Sequence, residues 1–193
     1  MISLGRVVRL QVQTGSLKLG ERPNRIYDPG SLLPVTELLL TPRGAEGVMP
    51  HGEVALDVHH ADHHASKAEA GREVSFGFTG HYGKMQERFG ERLALGCAGE
   101  NILIETDRVH RLEDFARGLA FRSASTGALL RLAAVSVADP CVEFSRFSLG
   151  EPEASPQDIK PVLQFLGDGM RGYCFTPAAD FTLRPGDELV VKG

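Results

Sequence analysis

From Ile2 to Gln13 apolar and polar side chains alternate, Val8, Leu10 and Val12 set against Arg9, Gln11 and Gln13, the period of a half-buried strand. Residues 14–31, broken by Gly15, Gly20, Pro23 and Pro29, have little to bury and are expected to form a surface excursion. Strand character returns over residues 35–41. Residues 43–51 read as a loop, and 53–59 alternate again with Val54, Leu56 and Val58 on one side. Residues 72–78 read as a strand, followed by a short helix capped by Thr79 that runs through Phe89 and stops at Gly90. Three further strands are expected at residues 101–105, 119–123 and 128–138, each rich in Ile, Leu, Val or Phe between glycines, the last giving the strongest signal. Ser155, Pro156 and Asp158 start a second helix, which Gly167 ends. Residues 172–176 and 188–192 read as closing strands, with a turn at residues 184–187 before the last one.

About eight strands and two short helices follow, and strands succeed strands without the helices that parallel pairing requires. The expected fold is mostly β: a single domain over residues 1–193, built as a closed or partly open antiparallel β-barrel with two or so short peripheral helices. The 22 glycines and 11 prolines are dispersed, as short elements and many turns require. Composition adds exclusions. Hydrophobic residues at 42% and charged residues at 24% exclude a chain disordered throughout. A formal charge of −4 lacks the basic excess that drives nucleic-acid binding. No apolar run approaches the roughly 18 residues that span a bilayer, and Arg6 and Arg9 interrupt the apolar start. The expectation is a cytoplasmic protein with neither membrane nor nucleic acid as partner. Cys97, Cys141 and Cys174, an odd number, suit reduced thiols.

Cys141 follows Pro140 where the strongest strand leaves the core, and proline holds the local backbone so that a thiol there has a defined position. Such a thiol suits a nucleophile or ligand, although free cysteine more often packs as a small hydrophobe. Cys174, between Tyr173 and Phe175, fits that inert role; Cys97, in a glycine-flanked loop, reads as exposed. His59, His60, Asp62, His63 and His64 crowd a short segment, which on a helix would pair 59 with 63 and 60 with 64 at metal-binding spacing, and otherwise is a solvated loop. Gly99, Glu100, Asn101 and Ile102 place an acid and an amide at the mouth of a strand. Arg171 stands before Gly172 and a strand, where it could hold a phosphate or carboxylate or simply be solvated. The glycines form no phosphate loop or dinucleotide pattern.

Taken in order, these pieces resemble the MOSC family, named for the C-terminal domain of molybdenum-cofactor sulfurases. Asp62, His63, His64 and Ala65 resemble its Gly-Asp-x-His segment, with Ala61 in place of the glycine, followed by Arg72, Glu73 and Val74. Gly99 to Ile102 reads Gly-Glu-Asn-Ile; Pro140 and Cys141 match its Pro-Cys; Arg171, Gly172 and then Pro185, Gly186 and Asp187 match its closing segments. The resemblance runs from about Val35 to Lys192.

It implies a β-barrel that handles molybdenum cofactor (molybdopterin) or sulfur. In the family the Cys141 position ligates molybdenum or carries sulfur as a persulfide, and some members reduce N-hydroxylated compounds. Cys141 is then the catalytic and metal-ligating residue, with Asp62, His64, Arg72, Asn101 and Arg171 lining the cofactor site. A pterin cofactor or a sulfur donor is the implied partner, with a partner reductase if turnover occurs. Two alternatives stand beside this one: a divalent-metal enzyme on the histidines from His59 to His64, and a non-enzymatic barrel that binds a pterin or a protein.

Overall fold

The computed structural model describes residues 1–193. Fourteen strands and three α-helices follow one another: β1 (Ile2–Gln13), β2 (Lys18–Leu19), β3 (Ile26–Tyr27), β4 (Leu32–Val35), β5 (Glu37–Thr41), β6 (Gly44–Val48), β7 (Val54–Leu56), β8 (Val74–Phe78), α1 (Thr79–Phe89), β9 (Ile102–Glu105), β10 (Leu119–Arg122), β11 (Leu129–Val137), α2 (Val142–Leu149), α3 (Pro156–Leu166), β12 (Tyr173–Pro177), β13 (Phe181–Leu183) and β14 (Glu188–Val191). Seven strands close a barrel in the order β14, β10, β11, β12, β8, β9, β1, with β1 returning to β14. The twelve-residue β1 makes closure possible: Ile2 to Arg6 pairs with β14, Arg6 to Leu10 with β9, and Leu10 to Gln13 with β4. A second sheet, β13-β5-β6-β7, packs beside it.

The barrel is the expected fold class, and the structure departs from the expectation in its details. β8 and β9 pair in parallel, joined through α1, so one helix does serve a crossover. β6 forms where a loop was expected, because its residues are too small to show a strand pattern. Gly47 is needed there: a Cβ would lie 2.6 Å from Val35 and 3.0 Å from Val12. α2, immediately after Cys141, was not foreseen, since Val142–Leu149 is a single short stretch without a polar cap. The alternation in β1 is also broken. A register shift between Val7 and Arg9 turns Val8 outward and brings Val7 into the core with Leu10 and Val12.

Inward side chains follow the two-residue period: Val74, Phe76 and Phe78 from β8, Tyr173 and Phe175 from β12, and Phe121 from β10 fill the barrel. The rings of Phe76 and Tyr173 lie 5.4 Å apart. Burying each of these aromatic side chains contributes about 2–3 kcal/mol. A second core lies outside the barrel wall, where Tyr82 and Met85 of α1, Phe144 of α2, Val162 and Leu166 of α3, and Leu17 and Tyr27 of the β2–β3 hairpin meet. Residues 14–31 are therefore no bare excursion, since the hairpin is pinned by buried Leu17 and Tyr27. The α3 start is as read: Ser155 and Asp158 form a reciprocal cap with Pro156 at the first position. Thr79 does not cap α1, because its hydroxyl donates to Thr106 O at 2.7 Å. No helix of the chain is long and apolar enough to cross a membrane.

Candidate functional site

With Phe76 and Tyr173 turned inward, the same period turns Ser75 and Gly77 of β8 and Cys174 of β12 toward the outside of the barrel wall. A cleft of about 470 Å³ lies against this outer face. Leu17, Lys18, Arg22, Arg25 and Tyr27 of the hairpin region line one side, and Ala98, Gly99 and Glu100 another. Ala138, Asp139 and Cys141 come from the connection between β11 and α2. Gly99 permits the approach of hairpin and loop: its φ is +93°, and a Cβ there would sit 2.8 Å from Leu17 Cδ1.

Cys141 is the residue that precedes α2, with extended backbone, and its thiol is half-buried, whereas Cys97 and Cys174 are buried. Arg171 Nη1 lies 3.6 Å from Cys141 Sγ and donates to Asp139 O at 3.1 Å, while Nη2 donates to Ala98 O at 3.2 Å. Its guanidinium carbon stands 5.0 Å from the centre of the Phe144 ring. Gly172 makes this placement possible, because a Cβ at its φ of +112° would come within 2.6 Å of Phe76 O. Positive charge thus meets the sulfur from the guanidinium and from the N-terminal end of α2. Arg72 joins the cleft wall, its Nη2 2.5 Å from Asp139 Oδ2. Burial pushes the Cys97 thiol up to about 12, with nearby Glu100 adding to the effect, so this cysteine is not the exposed thiol expected from its glycine-flanked loop. Burial also raises Cys174, although its side chain faces the cleft.

The lining carries six cationic side chains, Lys18, Arg22, Arg25, Lys67, Arg72 and Arg171, against three acids, Glu69, Glu100 and Asp139. In a chain of net charge −4 this is a local reversal of sign. Burial first, then the charges of Lys18 and Arg25, lower the pKa of Lys67, although Lys18 and Arg25 themselves pair with Glu143 at 3.5 and 3.0 Å. The charge and size of the lining are of the kind that suits an anion of small-molecule size.

Three of the sequence-selected residues, Cys141, Arg72 and Arg171, come together here; Asp62, His64 and Asn101 do not line the cleft. Asp62 is exposed and paired with Arg43, and His64 is exposed with its ring 4.3 Å from that of His63. The Asp-x-His segment nearer the site is five residues earlier. Asp57 is fully buried and His59 reaches the cleft wall. Asp57 accepts from Gln13 N–H at 2.7 Å, Asn101 Nδ2 at 2.7 Å and His59 N–H at 2.8 Å, and its Oδ1 also lies 2.8 Å from His59 Nδ1. Burial acts against its charge, but these bonds and the His59 ring hold its carboxyl below the usual range. Asn101 is the hub behind the wall, because Oδ1 accepts from Ser75 N–H at 3.0 Å and Ser75 Oγ at 3.2 Å while Nδ2 serves Asp57 and Gln11 O. Its amide has no group left over for a ligand; it positions the strand ends instead.

The divalent-metal reading of the histidine segment finds no ligand set. His59 turns to Asp57, His60 is buried with Nε2 3.6 Å from Glu46, and no three His, Cys, Asp or Glu side chains gather to hold an ion. Sequence reading passed over Lys18, Arg22, Arg25, Tyr27 and Lys67. The available signal was the run of basic residues between positions 18 and 25 in a stretch with too few apolar residues to mark it as packed.

No protein-family model matches the chain, and no curated protein sequence matches it. Solved structures do resemble it. The YUAD protein from Bacillus subtilis superposes with a TM-score of 0.58 at 12% identity, over 96% of this chain and 93% of that one. YiiM from Escherichia coli gives 0.55 at 18% identity, over 97% and 71%. YiiM from Geobacillus stearothermophilus gives 0.53 at 16%, over 97% and 75%. At these identities the likeness is one of fold.

Proposed function

We propose that this chain is a MOSC-type protein that binds the anionic, phosphate-bearing molybdenum-pterin cofactor in the cationic cleft, with the Cys141 thiolate as the metal-side ligand. The observation that carries the reading is the half-buried Cys141 Sγ at 3.6 Å from Arg171 in a cleft where cations outnumber acids. The donor set fits the group: a thiolate is a soft ligand suited to a redox metal, and Arg171, Arg25 and Lys67 are suited to phosphate oxygens. When bound, the cofactor supplies a metal couple for oxygen-atom or electron chemistry. Reduction of an N-hydroxylated compound, with electrons from a partner reductase, is the turnover such a site would support.

Protein made in a host that synthesises the cofactor is expected to carry molybdenum near one per chain with an extractable fluorescent pterin. Cys141→Ser is expected to lose the metal, and Arg171→Met to weaken retention about tenfold, the scale of one charge-assisted hydrogen bond. Metal-free wild-type protein from such a host, or full retention in Cys141→Ser, would overturn the proposal. A second reading rests on Cys174 facing the same cleft as Cys141. Two thiols in one cleft suit sulfur carriage, and a persulfide on Cys141 would add about 32 Da to the intact mass, removable by reductant.

A further inference from the structure

Glu100 is 4% exposed, yet it belongs to the wall of the cleft. Tyr82 Oη accepts from Ala98 N–H at 2.9 Å and donates to Glu100 Oε2 at 3.0 Å, which holds one carboxyl oxygen in place. The other oxygen, Oε1, is buried with no hydrogen-bond partner in the protein. It overlies Gly77, where a Cβ would lie 3.3 Å away, so the missing side chain makes room for it. Arg171 stands between the Ala98–Glu100 loop and the thiol: Nη2 donates to the Ala98 backbone O at 3.2 Å, and Nη1 lies 3.6 Å from Cys141 Sγ. A buried carboxyl oxygen without a partner is costly unless it carries a proton or meets a donor or ligand.

We propose that Glu100 is the acid of this cleft, a carboxyl that keeps its proton while an oxyanion occupies the cleft and passes that proton to an oxygen of the bound molecule. The inference rests on the cleft being an anion site, as in the function proposed above. In the transfer the Glu100 O–H bond breaks with its electron pair left on the carboxylate. The proton forms an O–H bond on the ligand, and solvent later restores the carboxyl. The carboxylate left behind is stabilised by the Tyr82 hydroxyl and by the charge of Arg171. The groups that face Glu100 are Tyr82 from α1, Cys97 from the preceding loop, Arg171 from the segment before β12, Arg9 from β1 and Tyr27 from β3. Burial raises the Glu100 pKa to about 7 against the pull of its own backbone N–H, Tyr82, Arg171 and Arg9, which places proton exchange near neutrality.

The test is sulfate binding, followed by calorimetry in two buffers of different ionisation heat; sulfate does not itself titrate near neutrality. Wild-type protein is expected to take up about half a proton per sulfate bound near pH 7.5, because the incoming anion disfavours the carboxylate. Glu100→Gln keeps an acceptor for Tyr82 and is expected to bind sulfate with that uptake abolished. Infrared titration of the carboxyl band is expected to show a group titrating near 7 in wild type, absent in Glu100→Gln and displaced upward in Tyr82→Phe. Uptake that persists in Glu100→Gln, no uptake in wild type, no sulfate binding at all, or a wild-type carboxyl band that titrates in the ordinary range would each overturn the proposal. Molybdenum failing to copurify would defeat the cofactor reading alone, since sulfate brings no metal.

Discussion

Asp57→Ala is expected to lower the free energy of unfolding by about 3–5 kcal/mol, with an unchanged denaturant slope. The carboxylate is fully buried, and its removal strands Gln13 N–H, Asn101 Nδ2 and His59 N–H, whose bonds to it are 2.7 to 2.8 Å long. Each stranded donor carries its own desolvation penalty of about 1–3 kcal/mol. The loss also frees the segment that carries His59 to the cleft. Asp62→Ala is the contrast: an exposed carboxylate paired with exposed Arg43 is screened by solvent, and its loss is expected to leave the unfolding free energy nearly unchanged. Urea melts of both variants at neutral pH measure the difference. Equal losses would mean that water replaces the Asp57 partners and that Asp57 is no hub.

Stability is expected to depend on pH through two buried groups of opposite sense. His81 is 1% exposed; its Nε2 accepts His110 N–H at 3.0 Å, and its Nδ1 has no partner. Burial first, and the charge of His110 second, lower its pKa from 6.5 to about 4. The unfolded chain therefore binds the extra proton from pH 6.5 downward, and about 3 kcal/mol of stability present above pH 6.5 is lost as the pH falls toward 4. Glu100 runs the other way. Its folded carboxyl keeps a proton up to about 7 whereas the unfolded one ionises near 4.5, so about 3 kcal/mol present below pH 4.5 is lost as the pH rises to 7. Between pH 4.5 and 6.5 the two slopes oppose one another. Glu100→Gln removes one of them, so its stability should fall more steeply with acid than that of wild type. His81→Gln should fall less steeply. Parallel profiles for wild type and Glu100→Gln would show that Glu100 titrates in the folded protein as it does in the unfolded chain.

The Glu100 substitution thus reads out twice, in stability and in proton uptake on anion binding. Only the second depends on a ligand. A carboxyl that shifts the stability profile but takes up no proton with sulfate would be a buried structural acid and nothing more.

Much of the fold was legible because alternation is a local property. β1 was read with its ends at Ile2 and Gln13, and the Ser155–Asp158 cap and the Gly90 stop needed no knowledge of distant residues. β6 was not legible, since Gly47 is small because Val12 and Val35 of the neighbouring sheet crowd it and Gly44 because His60 does, neither of them a local reason. Asp57 and Asp62 both open an Asp-x-His segment, and spacing alone cannot say which is buried. Asp57 lies where its loop docks on β1, Val58 N–H donating to Gln13 O at 2.7 Å, a contact between residues 45 positions apart. The cationic character of the cleft was hidden likewise, because Lys18, Arg25, Lys67 and Arg171 are scattered along the chain and meet only when the hairpin docks through Tyr27 against Phe144 of α2.

Periodicity, caps and turns, each set by neighbours within a few positions, were enough to determine a mostly β chain with its seven barrel strands in place, and the Pro-Cys and Arg-Gly pairs named two members of the site. Tertiary structure decided which strands close the ring, that β8 and β9 run parallel, and which carboxylate is buried. It also decided that one thiol stands beside a guanidinium 30 positions further along the chain. Those outcomes depend on which surfaces meet once the barrel closes, and burial, hydrogen-bond partners and local charge are properties of that meeting.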